Sequence, residues 1–160
     1  MPKTPTTATE FDAEFVEGLT RIFEERIVFN QVLGLKITRL QPDRVTGRIQ
    51  MRHELIGHYS HNRVHGGVIS ATLDAMGGLA CMAAIGARHM DEPAPQRLQR
   101  FSKLGTIDLR IDYLRPGRGQ HFTAQAVLLR SGNKVAVVRS ELHADDGTLV
   151  AVGTGTYLCG

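Results

Sequence analysis

The chain has 160 residues, of which 42% are hydrophobic and 22% are charged, and its formal net charge is +3. This length fits one domain, and the apolar content excludes a chain that is disordered throughout. The charge surplus is small and no cluster of arginine and lysine is interleaved with aromatic residues, so a nucleic-acid partner is not expected.

The N-terminus lacks the features of a targeting segment. The stretch MPKTPTTATEF has no apolar core, and we expect a disordered N-terminus over residues 1–8 and a single domain over residues 9–160. No apolar stretch approaches the roughly 20 residues of a membrane span, so no membrane partner is expected. Cys81 and Cys159 lie far apart in the sequence and require no oxidising compartment. The expected location is the cytoplasm.

The first third of the chain predicts a helix followed by two strands. TEFD, beginning at Thr9, resembles a capping box, and apolar residues follow at helical spacing, which indicates an amphipathic helix: Phe11, Phe15, Leu19, Ile22 and Phe23. The stretch LKITRLQPDRVTGRIQM then alternates between apolar and polar residues around a turn at Pro42–Asp43, as two paired strands do.

The centre of the chain predicts a buried helix. Residues 67–85 have the sequence GVISATLDAMGGLACMAAI, which is apolar on nearly every face and therefore indicates a helix buried on all sides. Gly77–Gly78 would let another backbone approach closely. Residues 86–105 are polar and contain Pro93 and Pro95, and a connection of this length predicts a lid or binding loop.

The last third predicts four strands. Apolar residues alternate with polar ones in TIDLRIDYL, which places on one face Ile107, Leu109, Ile111 and Tyr113. Turn signals then separate strands at about 121–130, 134–144 and 148–158, so the four strands predict an antiparallel meander.

These elements predict an α+β fold, in which a single antiparallel sheet of about six strands curls around the buried helix. This arrangement covers both the helix and one face of the sheet with the fewest elements. The sheet keeps free edges, so we expect it to pair with a second copy of the chain.

Four histidines precede the buried helix and raise the question of a metal site. His58, His61 and His65 are three and four residues apart, a spacing that aligns side chains on a helix and suits zinc. However, the segment has no apolar periodicity and ends in Gly66–Gly67, so we expect an irregular polar loop. No acidic residue or cysteine stands at a compelling ligand position, and we expect neither a metal nor another cofactor.

Asp74 is the one carboxylate inside the apolar helix. A buried unpaired charge is costly, so either Asp74 pairs with a backbone group or an arginine, or it serves as a general base, which loss of hydration strengthens. The residue by itself leaves both interpretations open. His65-Gly66-Gly67 immediately precedes the helix and offers free N–H groups at its N-terminus, where an oxyanion is stabilised. Asp74 and the N–H groups at the helix start together favour hydrolysis of an activated acyl group.

The spacing of these groups predicts a site shared between two chains. Asp74 lies seven residues after Gly67, or roughly 10 Å along a helix, so both cannot easily contact one carbonyl carbon within a single copy. Two antiparallel copies of the helix would bring the N-terminus of one near Asp74 of the other. We therefore expect the site to lie at a dimer interface.

VHGGVISATLDAMGG and the later TIDLRIDYLRPG resemble the hotdog-fold acyl-CoA thioesterases of the phenylacetate-pathway (PaaI-like) group, over about residues 30–158. The resemblance implies an acyl-CoA substrate, no metal or redox cofactor, and dimers that often pair into tetramers. It implies that Gly66, with Gly67 beside it, polarises the thioester carbonyl, that His65 orients it, and that the partner's Asp74 is the nucleophile or the base.

The resemblance also assigns candidates outside the helix. Thr106 matches the strand hydroxyl that positions water, provided that the strand bends there. Tyr59 stands where the group commonly has an asparagine, and Asn62, three residues before His65, is the other candidate to contact substrate. The candidates for the coenzyme A phosphates are two arginines at strand ends, Arg115 and Arg130.

Two other functions fit the same fold. A non-catalytic acyl-CoA-binding or regulatory module would keep the pocket without turnover, but it has little need for a carboxylate among apolar residues. A hotdog dehydratase or hydratase is the third alternative, and an aspartate nine residues after His65 fits it less well.

Overall fold

A computed structural model describes residues 10–160, which form one six-stranded sheet, a two-stranded ribbon and four α-helices. The helices are α1 (Ala13–Arg21), α2 (Val28–Leu33), α3 (Gly66–Arg88) and α4 (Ala94–Gln99), with a π-helix, Ile22–Arg26, between α1 and α2. The strands are β1 (Lys36–Leu40), β2 (Arg44–Gln50), β3 (Ile56–His58), β4 (His61–Val64), β5 (Gly105–Tyr113), β6 (His121–Ser131), β7 (Val135–Ala144) and β8 (Leu149–Leu158).

The main sheet is antiparallel throughout and has the order β1-β2-β6-β7-β8-β5. Helix α3 contacts β2, β5, β6, β7 and β8, so the sheet surrounds one long helix. The predicted α+β architecture, with about six strands around a central helix and a further helix at the N-terminus, is confirmed.

The predicted meander is wrong at β5, which pairs with β8 rather than with β6. The connection after β5 contains Pro116 and is not a tight hairpin. It passes the start of α3, where the carbonyl of the buried Gly117 accepts a hydrogen bond from the Val64 amide at 2.9 Å. As a result β5 is an edge strand, and apolar side chains near both of its ends are uncovered: Ile107 is 57% exposed and Tyr113 55% exposed.

The histidine-rich segment is more regular than expected. Instead of an irregular loop it contains the β3–β4 ribbon, preceded by a 3₁₀ turn at His53–Leu55. Gly57 permits this pairing, since a Cβ at that position would lie 2.5 Å from the Cα of His65. The ribbon therefore packs directly against the residue that precedes α3.

Helix α3 is buried on all sides only in its second half. Residues 79–86 are buried, but Ala71, Asp74, Ala75 and Gly78 in the first half are half-buried. The helix is also long and apolar enough to cross a membrane, with a mean hydropathy of 1.7, so the expectation that no stretch approaches this length was wrong. Most of this stretch is buried inside the protein, as in the core helix of a globular fold.

The N-terminal helices and residues 86–105 form a layer over the C-terminal half of α3. The capping start predicted at Thr9 and the predicted disorder of residues 1–8 lie outside the described residues. Helix α1 instead begins after Asp12, whose Oδ1 accepts the Phe15 amide at 2.9 Å. Residues 86–105 are not a loop throughout, because they contain α4 and a 3₁₀ turn that pack against α1.

Asp12 and Arg97 connect α1 to α4 across 85 positions of the sequence. Arg97 is 2% exposed, and its guanidinium also lies over the Phe15 ring, 4.4 Å from the centroid. The hydrogen bond from Arg97, followed by that from the Phe15 amide, lowers the pKa of Asp12. A carboxyl whose pKa is lowered by folding stabilises the folded state above its unfolded pKa and loses this contribution as the pH falls through the folded value.

We therefore expect Asp12→Asn to lower the urea midpoint at pH 7 by a modest amount, because the Asp12 side chain is 46% exposed and solvent screens the pair. The difference from the wild type should begin to shrink below about pH 4, where Asp12 is protonated in the unfolded chain, and it should disappear only as the pH falls through the lower pKa of the folded state. Urea titrations at both pH values test this. A difference that is equal at pH 7 and pH 3 would contradict the ion-pair explanation.

Candidate active site

The start of α3 is capped by the side chain of His65. Its Nδ1 accepts the Gly67 amide at 2.8 Å, and its own backbone is extended (φ −66°, ψ 139°). A neutral histidine that accepts at Nδ1 carries its proton on Nε2, so His65 presents an N–H donor outward. The capping bond also occupies the Gly67 amide, which corrects the expectation that both glycines offer free amides.

Gly66 supplies the remaining amide at this helix start. Among residues 10–160, no acceptor reaches the Gly66 N–H, whereas its carbonyl accepts the Tyr113 hydroxyl at 3.1 Å. The Tyr113 ring lies close to Gly66, since a Cβ added there would be 3.4 Å from Cε1. The end of the edge strand β5 therefore stands beside an amide that can donate to a substrate oxygen.

Asp74 lies two turns further along α3 and is held by hydroxyl groups rather than by an arginine. Its Oδ1 accepts hydrogen bonds from Thr106 Oγ1 at 2.9 Å and from the Tyr157 hydroxyl at 3.3 Å. Within the part of the chain that the structure describes, no donor reaches Oδ2. One oxygen is thus fixed in place, and the other remains available to accept a proton or to attack.

The strand bend that Thr106 requires is present. The register of β5 against β8 shifts between Thr106 and Asp108, so Ile107 is an extra residue in β5. Such a bulge changes which face the flanking side chains point to. It lets Thr106, which by simple alternation belongs to the polar face, turn towards Asp74.

Tyr157 is a functional candidate that the sequence analysis missed. It is 1% exposed, and burial, followed by the negative charge of Asp74, raises its pKa. The hydroxyl therefore keeps its proton and donates it, shared between Oδ1 and the backbone carbonyl of Asp74. The sequence signal that could have indicated this contact was Gly77, where close approach of another backbone was predicted. The group that approaches Gly77 is instead the Tyr157 side chain, since a Cβ on Gly77 would be 2.0 Å from the Tyr157 hydroxyl.

The two adjacent glycines of α3 should respond oppositely to alanine. Gly77→Ala forces a methyl group into the immobile Tyr157 ring, so we expect a loss of about 3 kcal/mol of stability, as overpacked cores show. Gly78→Ala meets nothing closer than Leu104 Cδ2 at 3.9 Å and should be neutral or stabilise by about 0.5–1 kcal/mol. Urea unfolding of both variants tests this, and equal effects would show that Tyr157 does not fill the space over Gly77.

Asp74 and Thr106 open into a cavity of about 330 Å³ between α3, β5 and the N-terminal helices. Apart from these two residues, Asn30 and Tyr157, its walls are apolar or small: Phe23, Ile27, Phe29, Ala71, Ala75, Gly78, Met82, Leu104 and Gly105. The amide of Asn30 is 2% exposed and donates to the Phe23 carbonyl at 2.9 Å, so it is satisfied locally. A carboxylate at the end of an apolar chamber suits a ligand with a polar reacting group and a hydrocarbon tail.

A second cavity of about 280 Å³ lies at the start of α3. It is bordered by His65, Gly66 and Tyr113 and by two arginines, Arg63 and Arg115. It shares no residue with the Asp74 cavity. The amide donor and the carboxylate thus occupy separate cavities of the same chain.

Of the four residues predicted to bind substrate outside the catalytic set, Arg115 alone borders one of the two cavities. Arg115 borders the second cavity and donates to the Leu149 carbonyl at 3.2 Å, whereas Arg130 is exposed on β6 and borders neither cavity. Tyr59 is 99% exposed at the tip of the ribbon, and Asn62 is exposed on β4, and neither borders either of these two cavities. Arg63 was missed: its Nε is buried and finds no acceptor within residues 10–160.

Of the other histidines in this segment, His58 borders the second cavity, whereas His61 borders neither cavity. His58 and His61 stack with ring centroids 4.8 Å apart, and Ser60 contacts both of them. Among residues 10–160, no group of three or more histidine, cysteine, aspartate or glutamate side chains could hold a metal ion.

The fold and the arrangement of the site suit a hydrolase: an antiparallel sheet surrounds one helix, with the Gly66 amide at the start of that helix and Asp74 further along it. A model of the thioesterase superfamily (4HBT) matches residues 61–151. The chain belongs to this superfamily, so the predicted thioester-hydrolase class and the hotdog fold are confirmed.

Individual relatives agree with this assignment. The chain is 41% identical over 139 residues to the medium/long-chain acyl-CoA thioesterase YigI of Escherichia coli K12, covering 87% of this chain and 90% of YigI. A crystal structure of a thioesterase-superfamily protein from Shewanella oneidensis is 43% identical, with a TM-score of 0.85 over 94% of this chain and all of that chain. The structure of Escherichia coli PaaI, at 16% identity and a TM-score of 0.74 over 94% of this chain and 96% of PaaI, shares the fold.

Proposed function

We propose that this protein hydrolyses medium- or long-chain acyl-CoA to the free acid and coenzyme A, in a site formed by two chains. The observation that carries the proposal is the hydroxyl-anchored Asp74 at the end of an apolar chamber. Superfamily membership supports the reaction, and the similarity to YigI supports the acyl-CoA substrate.

The edge strand β5 supports a shared site. Thr106 near its start contacts Asp74, and Tyr113 at its end contacts Gly66. If β5 pairs antiparallel with the β5 of a second copy, about an axis near Leu109 and Arg110, Thr106 of one chain stands opposite the partner's Tyr113. This pairing brings each Asp74 to the amide at the start of the partner's α3, and it covers the exposed apolar side chains of β5.

In the proposed mechanism, the substrate carbonyl oxygen accepts the Gly66 amide of one chain. The partner's Asp74 takes a proton from water through Oδ2, and the resulting hydroxide attacks the carbonyl carbon. The developing oxyanion is stabilised by the amide and by the positive end of the α3 dipole. The tetrahedral intermediate then expels the coenzyme A thiolate, which is the better leaving group, and the proton on Asp74 neutralises the thiolate.

The substrate would lie across both cavities. The acyl chain occupies the apolar chamber beside Asp74, and the coenzyme A portion leaves past the start of the partner's α3. Arg63 and Arg115 border the cavity there and provide positive charge for a phosphate group. Arg130 is exposed on β6, three strands across the sheet from β5, and has no part in this arrangement.

The direct test is release of free thiol from a panel of acyl-CoAs, followed with a thiol reagent, together with the mass of the protein in solution by light scattering. We expect turnover of medium- and long-chain substrates by a dimer or a pair of dimers. Calorimetric binding of an acyl-CoA without thiol release would instead indicate a binding module, and hydration of an enoyl-CoA would indicate a hydratase. A fully active monomer would overturn the shared site.

A further inference from the structure

We infer that Met82, with Ile27 and Leu104, forms a gate at the inner end of the acyl chamber and sets the length of acyl chain that the protein prefers. This inference rests on the proposed thioesterase function and adds the residues that determine specificity. Beyond the gate lies a second, larger groove into which longer chains would extend.

The floor of the chamber is one face of α3. Ala71, Ala75 and Gly78 follow one another at helical spacing beside Asp74, and Met82 ends the row. All are small except Met82. The distance from Asp74 to Met82 is eight residues, or roughly 12 Å along the helix, which is comparable with an extended medium-chain acyl group. A chain whose carbonyl lies near Asp74 would therefore place its end against Met82.

The larger groove begins on the other side of the same residues. It has a volume of about 1050 Å³ and lies between the N-terminal helices and the α4 segment. Three residues line both the groove and the acyl chamber, and they are Ile27, Met82 and Leu104. The other apolar residues of the groove include Ile22, Leu98 and Phe101, and polar residues also line it: Arg21, Arg26, Gln99 and Ser102. The apolar part of these walls suits the distal part of a longer acyl chain.

The opposite wall of the chamber is held in place by an irregular backbone. The π-helix Ile22–Arg26 ends at Ile27, which has an extended conformation (φ −81°, ψ 91°). Because Asn30 binds the Phe23 carbonyl across this break, both Phe23 and Ile27 are fixed as wall residues. Met82 is buried, but its side chain is unbranched and adapts its shape readily, so it is the part of the gate that can move.

The test compares kcat/KM for octanoyl-, dodecanoyl- and hexadecanoyl-CoA. Met82→Ala opens the gate, and we expect the hexadecanoyl to octanoyl ratio to rise about tenfold, the scale on which apolar pockets discriminate chain length. Gly78→Leu fills the chamber ahead of the gate and should lower the same ratio by a similar factor.

Met76→Ala is the matched control. Met76 lies on the same helix and is fully buried, but it faces the sheet, where its Sδ lies 2.7 Å from the position a Cβ on Gly47 would take. Met76→Ala should lower the stability by about as much as Met82→Ala does and leave the hexadecanoyl to octanoyl ratio unchanged. The gate is refuted if Met82→Ala and Gly78→Leu leave the ratio unmoved, or if Met76→Ala shifts it equally.

The same comparison separates the gate from the reaction. Dissociation constants for octanoyl- and hexadecanoyl-CoA thioethers, which cannot be hydrolysed, are measured for each variant by calorimetry. If the wild type shows no turnover but Met82→Ala shifts the ratio of the two dissociation constants, hydrolysis is refuted and the gate is supported. A wild type with turnover whose ratios are unaffected by either substitution would support hydrolysis and refute the gate.

Discussion

Asp74→Asn is expected to lower kcat for acyl-CoA hydrolysis by about 10³-fold while the protein stays folded. Asparagine keeps the size of the side chain and an oxygen that can accept the Thr106 hydroxyl, so the local packing is retained. It cannot take a proton from water and is a poor nucleophile. Thiol release under saturating substrate measures the loss, and binding of a thioether analogue should change little.

The control for this substitution is Asp43→Asn. Asp43 is exposed in the turn between β1 and β2, away from both cavities. Its substitution removes the same charge from the protein as Asp74→Asn does. It should keep wild-type turnover. If Asp74→Asn also kept wild-type turnover on the best substrate, Asp74 would not be the catalytic carboxylate.

Gly66→Pro is expected to lower kcat by about 10²–10³-fold, which is the usual effect of losing one oxyanion donor. Proline removes the Gly66 N–H but is well suited to the first position of a helix. The preceding residue, His65, already has the extended backbone that proline requires before it. Gly66→Ala adds a Cβ at the same place, 3.4 Å from the Tyr113 ring, yet keeps the N–H, so it should retain most of the turnover.

Mixing the two inactive proteins tests whether each site is built from two chains. In a mixed dimer of Asp74→Asn and Gly66→Pro chains, one shared site has both defects and the other has neither. After subunit exchange, activity should return to about a quarter of the wild-type value, because half of the dimers are mixed and half of their sites are intact. A site contained in one chain would recover nothing, since every chain carries a defect.

Much of the fold was predictable because local pattern and tertiary environment agree. The alternation in residues 44–50 matches a strand whose Val45 and Ile49 are buried, and the apolar run after Gly66 matches the core helix. Asp74 stood out because a carboxylate in such a run needs partners. What the pattern could not supply was the identity of those partners, Thr106 and Tyr157, which are 32 and 83 residues away.

The errors have a common physical origin in contacts between distant segments. Turn residues after Tyr113 indicate that a strand ends but not which strand it pairs with, so the β5–β8 pairing was missed. A free amide at Gly67 was expected because the sequence does not reveal that the His65 ring turns back to cap it. The half-exposed face of α3 was missed because small apolar residues that line a cavity have the same sequence pattern as small apolar residues that pack against other elements.

The position of β5 at the edge of the sheet has a further consequence for how activity arises. The anchors of both halves of the site, Thr106 and Tyr113, stand at opposite ends of this one strand. Under the proposed two-chain site, a newly folded chain on its own would hold every catalytic group and still be inert. Under the two-chain arrangement, specific activity would fall as the enzyme is diluted towards dissociation, so that competence is acquired at assembly and not at folding.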